Sequence, residues 1–146
     1  MAHTLGMFKG SERVAAEVAV LEANQEFYRA FTRGDFKAMS QLWAEQAPNA
    51  CYHPGMNVIT GRGAVLDTWR QILNQVAGVE MACRAPRAHV VGEVAFVTCL
   101  EANGKHPAHL AATNVFVLEQ GRWLMIHHHA GPLSQPVPEA AAGGSN

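Results

Sequence analysis

No Cys-x-x-Cys pair, no Gly-x-Ser-x-Gly and no glycine-rich loop closed by Lys-Ser or Lys-Thr occurs in this sequence. Each absence removes a class of chemistry. Without the first there is no signature of a structural zinc site or a dithiol couple. Without the second there is no nucleophile elbow, and without the third no phosphate-cradling loop. The cysteines are few and odd in number, Cys51, Cys83 and Cys99. They lie in apolar, strand-like segments, which points to buried free thiols. Charge is sparse as well, 16% of residues with a net charge of −1. With no basic patch, nucleic acid is not an expected partner. No apolar run approaches about 18 residues, so no membrane span is expected. The N-terminus lacks the positive-then-apolar layout of a secretory signal, and the expected location is the cytoplasm.

What is present is enough apolar residue, 49% of 146, for one domain with a sizeable core. After a loose lead-in over 1–10, helical spacing of Val14, Val18, Leu21, Gln25 and Tyr28 predicts a first helix over 11–33. Gly34 stops it and Asp35 caps a short second helix to about residue 44. Short strands are expected at 49–53 and 57–59. A third helix is expected from the Thr60-Gly61-Arg62-Gly63 turn to about residue 77, carrying Val65, Leu66, Trp69, Ile72 and Leu73. The rest alternates as strands, over about 79–90, 94–101, 108–118 and 122–130, with hairpin turns at Gly92 and Gly121. The Pro, Ala and Gly-rich residues 133–146 read as a flexible tail. Helices followed by a meander of antiparallel strands predict an α+β fold, with three helices packed on a curved, mostly antiparallel sheet.

The last strand ends in His127-His128-His129. Successive side chains on a strand alternate between faces, so at least one imidazole faces the interior. Imidazole is the side chain that titrates nearest neutral pH. His127 and His129 share a face, but no cysteine or carboxylate ligand pattern accompanies them, and no metal is expected. Cys51 and His53 fall on one side of an extended strand, the spacing of a thiol–imidazole pair.

Several segments together resemble the nuclear transport factor 2-like superfamily, in its SnoaL-like and ketosteroid-isomerase-like branch. They are Phe31-Thr32-Arg33-Gly34-Asp35, Leu42-Trp43-Ala44, Tyr52-His53-Pro54-Gly55, Gly61-Arg62-Gly63-Ala64, Val90 to Ala95, Thr113 to Val117, and Gly121-Arg122-Trp123 through His129. The resemblance covers about 14–132 and implies one domain over 11–132. It implies a cone-shaped half-barrel with a pocket at its wide end, and homodimers through the outer sheet face. The isomerases' carboxylate base falls on His53, before Pro54. Their tyrosine donor falls on Phe27, beside Tyr28, their acidic donor on about Thr113, and a pocket tyrosine on Trp69. If the penultimate strand faces the pocket with Thr113, Val115 and Val117, the gapless carry-over from the family turns Ile126, His128 and Ala130 inward too, and Trp123, Met125, His127 and His129 outward. The expected site is therefore a pocket lined by Phe27, Tyr28, Trp69, Thr113 and Ile126, with His53 and His128 as catalytic candidates. With two of the donor positions changed, steroid isomerisation itself is not expected. Two readings stand open. One is cofactor-free isomerase, dehydratase or cyclase chemistry on a small carbonyl compound. The other is a non-catalytic ligand-binding or association module.

Overall fold

The computed structural model describes residues 10–76 and 78–139. Helix α1 (Gly10–Arg33) buries Ala16, Val20, Asn24, Phe27, Tyr28, Ala30 and Phe31. Those positions recur at three- and four-residue spacing and so share one face. At its end Gly34 adopts φ 65°, its N–H bonds Phe31 O, and Asp35 N bonds Ala30 O. This paired closure needs a left-handed residue, which glycine supplies without a Cβ penalty. Asp35 then accepts from Ala38 N at 3.0 Å and caps α2 (Phe36–Gln41). Two adjacent residues thus end one helix and start the next.

Strands β1 (Ala50–Tyr52) and β2 (Ile59–Thr60) pair antiparallel before α3 (Arg62–Gln75). Four long strands follow: β3 (Met81–Val91), β4 (Val94–Asn103), β5 (Ala108–Glu119) and β6 (Arg122–Val137). The sheet order is β2-β1-β6-β5-β4-β3, and β1 joins β6 in parallel. The core lies between the helices and one sheet face, around Phe27, Trp43, Trp69, Phe116 and Met125. The α+β architecture is as expected, three helices on a mostly antiparallel sheet. No helix among the described residues is long and apolar enough to cross a membrane.

Two expectations change. Strand β6 runs on through Val137, which pairs with Ala108, where the sequence read as tail from 133. Pro132 pairs with Leu110 at the edge of a break in register, and Pro136 lies within that break, before Val137 pairs with Ala108. The lead-in over 1–9 and the tail over 140–146 lie outside the described residues.

The second correction concerns facing. Phe116 pairs with Met125, but Val115 pairs with His127, so Ile126 is an inserted bulge residue without a partner opposite. Met125 is held on its other side as well, its N–H on Leu42 O and its C=O on Ala44 N. One extra residue shifts every later pairing by one. Thr113 therefore stands opposite His129 on the outer face, and Asn114 stands opposite His128 inside. Met125 turns inward and is fully buried, against the gapless parity. Ile126 itself is only half-buried.

Candidate functional site

Strand β4 alternates exposed and buried side chains, and on its inward row, after Ala95, Val97 and Cys99, comes Glu101. A carboxylate at 2% exposure is costly unless it is bonded or protonated. The Tyr28 hydroxyl on α1 donates to Glu101 Oε2 at 2.7 Å. Loss of water raises the Glu101 pKa to about 7, even though the Tyr28 bond pulls it down. Burial, then the Glu101 charge, pushes Tyr28 well above the usual phenol value, so its proton stays in place.

The groups around this pair leave one consistent set of hydrogens. His128 Nδ1 lies 2.6 Å from Asn114 Oδ1. A carbonyl oxygen only accepts, so Nδ1 carries the hydrogen and Nε2 the lone pair. Asn114 Nδ2 uses its two hydrogens on Asn24 Oδ1 at 2.8 Å and on Tyr28 Oη at 3.1 Å. Tyr28 Oη has given its own hydrogen to Glu101, so Cys99 Sγ, 3.2 Å away, donates to it. His128 Nε2 then faces Glu101 Oε2 at 4.0 Å. Two lone pairs meet there unless Glu101 is protonated, which agrees with its raised pKa. Burial chiefly, with His53, His127 and His129 adding, lowers His128 to about 3. It is neutral and forms no ion pair with Glu101.

His53 follows β1, and the parallel pairing of Cys51 with His128 brings the two imidazoles near each other, 6.3 Å between ring centroids. Its Nε2 lies 2.9 Å from Thr68 Oγ1, whose own hydrogen goes to Val65 O at 2.7 Å. Thr68 must accept, so His53 donates from Nε2 and ties β1 to α3. Burial lowers its pKa to about 4. Trp69 packs 4.8 Å from His53, 5.6 Å from His128 and 5.2 Å from Phe27, edge to face with His53 and Phe27. Cys51 Sγ lies 3.6 Å from His53 Nε2, but burial holds that thiol up at about 12 and keeps it protonated.

A cavity of about 460 Å³ opens between α1 and the start of β3. Asn24, Tyr28 and Cys83 belong to its wall, with Leu21, Met81 and Pro86 as apolar surface and Arg29, Arg33 and Glu80 as charged groups. Asn24 and Tyr28 are also members of the buried hydrogen-bond network, so the cavity meets the network at α1. Of the residues expected from sequence, Tyr28 alone lines this cavity. Phe27, Trp69, His53 and His128 form the aromatic packing beyond it, while Thr113 and Ile126 lie elsewhere for the reason given above. Four members lay outside the expected site: Glu101, Asn114, Asn24 and Cys99. The signal was available in part, since Glu101 interrupts an inward apolar row and Asn24 sits on the buried stripe between Val20 and Tyr28. Among the described residues no group of three or more His, Cys, Asp or Glu side chains is placed to hold a metal ion.

The pattern of the SnoaL-like domain matches residues 20–138. A provisionally assigned dehydratase of the NTF2-like family from Streptomyces avermitilis is 32% identical, with a TM-score of 0.75 over 84% of this chain and 99% of that one. A provisionally assigned association domain of calcium/calmodulin-dependent protein kinase type II from Thiobacillus denitrificans is 29% identical, with a TM-score of 0.65 over 77% and 93%. The F-box protein SKIP8 of Arabidopsis thaliana is 27% identical over 119 residues, 82% of this chain. The chain spans about half the length of that relative, 52%. Sequence pattern, sheet order and these likenesses agree: the chain belongs to the SnoaL-like family of the NTF2-like superfamily.

Proposed function

We propose that this protein binds a small organic carbonyl compound in the cavity between α1 and β3 and moves a proton on it through Tyr28 and Glu101. The observation that carries the reading is a buried carboxyl group with its pKa raised to about 7, 2.7 Å from the hydroxyl of Tyr28, a residue that lines the cavity. A group that titrates near the working pH is the best placed to give and take protons. When Glu101 is ionised, the Tyr28 O–H points at it. When Glu101 is protonated, its hydrogen rests toward His128 Nε2; turned instead to Tyr28 Oη, where it takes the place of the Cys99 thiol, it releases the Tyr28 O–H. A substrate carbonyl oxygen then takes the Tyr28 proton as the Glu101 proton passes to Tyr28 Oη, the C–H proton lost on enolisation goes to Glu80, a carboxylate on the cavity wall, and Glu101 is left ionised. This is the chemistry of cofactor-free isomerisation, dehydration or cyclisation. His128 acts in it by holding Asn114 on Tyr28, and His53 by fixing β1 against α3.

The test uses substituted phenols as enolate mimics, with keto acids and cyclic ketones, in thermal-shift and calorimetric titrations. A phenol is expected to raise the wild-type melting temperature by mass action. Its affinity is expected to fall roughly tenfold or more in Tyr28→Phe, the loss of one charge-assisted hydrogen bond. Binding that ignores Tyr28→Phe and Glu101→Gln, or no binding across the panel, removes the reading.

A second reading, an association module that pairs as a homodimer, is favoured by the outer sheet face. Val94 and Phe96 stand there 45% and 38% exposed, with Val115 and Val117 beside them on β5. Apolar surface of this kind on a strand face favours a partner. The two readings are compatible, because they use opposite faces of the sheet.

A further inference from the structure

The three consecutive histidines divide between two faces. His128 is inside, and His127 and His129 stand on the outer face, opposite Val115 and Thr113 of β5. On their other side the parallel pairing sets Ala50 beside His127 and Tyr52 beside His129. His127 Nδ1 lies 2.9 Å from Ala50 O. A carbonyl only accepts, so Nδ1 carries the hydrogen and Nε2 the lone pair. That is the state in which an imidazole binds a metal, its other nitrogen steadied by a backbone carbonyl. The exposed His129 ring lies against Tyr52, centroids 4.7 Å apart and planes 32° apart. Among the described residues it makes ring contacts and no hydrogen bond, so it is free to turn.

The two ring centroids are 6.3 Å apart. An ion at about 2.0–2.1 Å from one nitrogen of each ring lies about 3.2 Å from each centroid, so one ion spans about 6.4 Å at most. The observed separation is inside that reach but leaves the two bonds nearly in line; a chelating angle of about 90° brings the centroids to about 4.5 Å, so His129 turns toward His127 on binding. We infer that His127 Nε2 and a ring nitrogen of His129 form a two-point chelate for a late first-row divalent ion, Ni²⁺ or Cu²⁺, on the outer face of β6, with water in the remaining positions. Two imidazoles without thiolate or carboxylate select these ions over hard cations such as Mg²⁺ or Ca²⁺. The site is separate from the proposed proton-transfer site, which faces the other side of the sheet.

The experiment is a calorimetric titration of Ni²⁺ into the full chain without an affinity tag. Wild type is expected to take up one ion per chain. His129→Ala, at an exposed position, is expected to weaken binding roughly tenfold or more, at least the loss seen when only an outer-shell partner of a metal ligand is removed. His127→Ala is expected to do the same, and the double variant to abolish binding. His106→Ala/His109→Ala, exposed histidines in the turn before β5 and at its start, is expected to bind as wild type does. Melting temperatures of the variants separate lost binding from lost fold, and His129→Ala alone suffices if His127→Ala unfolds. Undiminished binding in His129→Ala, loss of binding in the His106/His109 variant, or no binding by wild type at millimolar Ni²⁺ overturns the inference.

Discussion

Glu101 shows how one residue can carry both a cost and a use. Its folded pKa of about 7 stands above the 4.5 of an exposed glutamate. The protonated form therefore folds better than the ionised one. This contribution to stability is full below about pH 4.5 and is lost as the pH rises through about 7. His53 runs the other way. Its folded value of about 4 lies below 6.5, so its contribution is full above pH 6.5 and is lost as the pH falls through about 4. Glu101→Gln keeps an acceptor for Tyr28 and removes the charge. The variant is expected to melt above wild type at pH 8, by up to about 3 kcal/mol, and to lose that advantage at pH 4.5. Thermal unfolding followed from pH 4.5 to 8 checks this, and a constant difference contradicts it. Thr68→Val is close to isosteric and strands the His53 Nε2–H. It is expected to cost about 1–3 kcal/mol, measured by urea unfolding. Sequence pointed to Tyr28 through the stripe of α1, but it gave the proton chemistry to histidines. Glu101 was hidden because a carboxylate in a strand reads as solvent-facing until the row beside it is counted. The pKa that makes it interesting comes from packing that no spacing reveals.

Elements were more legible than side chains. Apolar spacing located α1 and α3, and Gly34-Asp35 was readable as a stop followed by a start. Turn residues located the long hairpins, within a few residues at most ends. What escaped was the phase of β6. A single bulge at Ile126 has no signature of its own in an apolar run, yet it exchanges Thr113 for Asn114 at the site. Its physical setting is Met125, which bonds the chain after α2 on one side and pairs with Phe116 on the other. The β5–β6 turn offers an element-scale prediction. Gln120 has φ 53° and Gly121 φ 76°, the left-handed pair that favours Asn-Gly. Gln120→Asn is expected to raise stability by a few tenths of a kcal/mol to about 1 kcal/mol, seen as a higher denaturation midpoint at unchanged slope. A lower midpoint would show that the side chain of Gln120 matters more than its backbone.

At the scale of the whole molecule, one sheet separates two surfaces. The face toward the helices holds the hydrogen-bond network and meets the cavity. The outer face holds Val94, Phe96 and the His127–His129 pair. Family membership explains the architecture and leaves the use of each surface open, because this fold hosts both catalysts and association domains. If the outer face joins two copies, Phe96→Glu places a charge in that contact and is expected to give monomers in light scattering where wild type gives dimers. An unchanged mass from a dimeric wild type would move the contact to another surface.

The claim on which the rest depends is that Glu101 exchanges its proton near neutral pH beside Tyr28. Side-chain ¹³C NMR of a glutamate-labelled sample, assigned with Glu101→Gln, reads that proton directly. The account predicts one carboxyl with a midpoint close to 7 that moves higher in Tyr28→Phe, where the stabilising hydroxyl is gone. A Glu101 midpoint near 4.5, indifferent to Tyr28, would mean an ordinary solvated carboxylate and would contradict the proposed proton-transfer site.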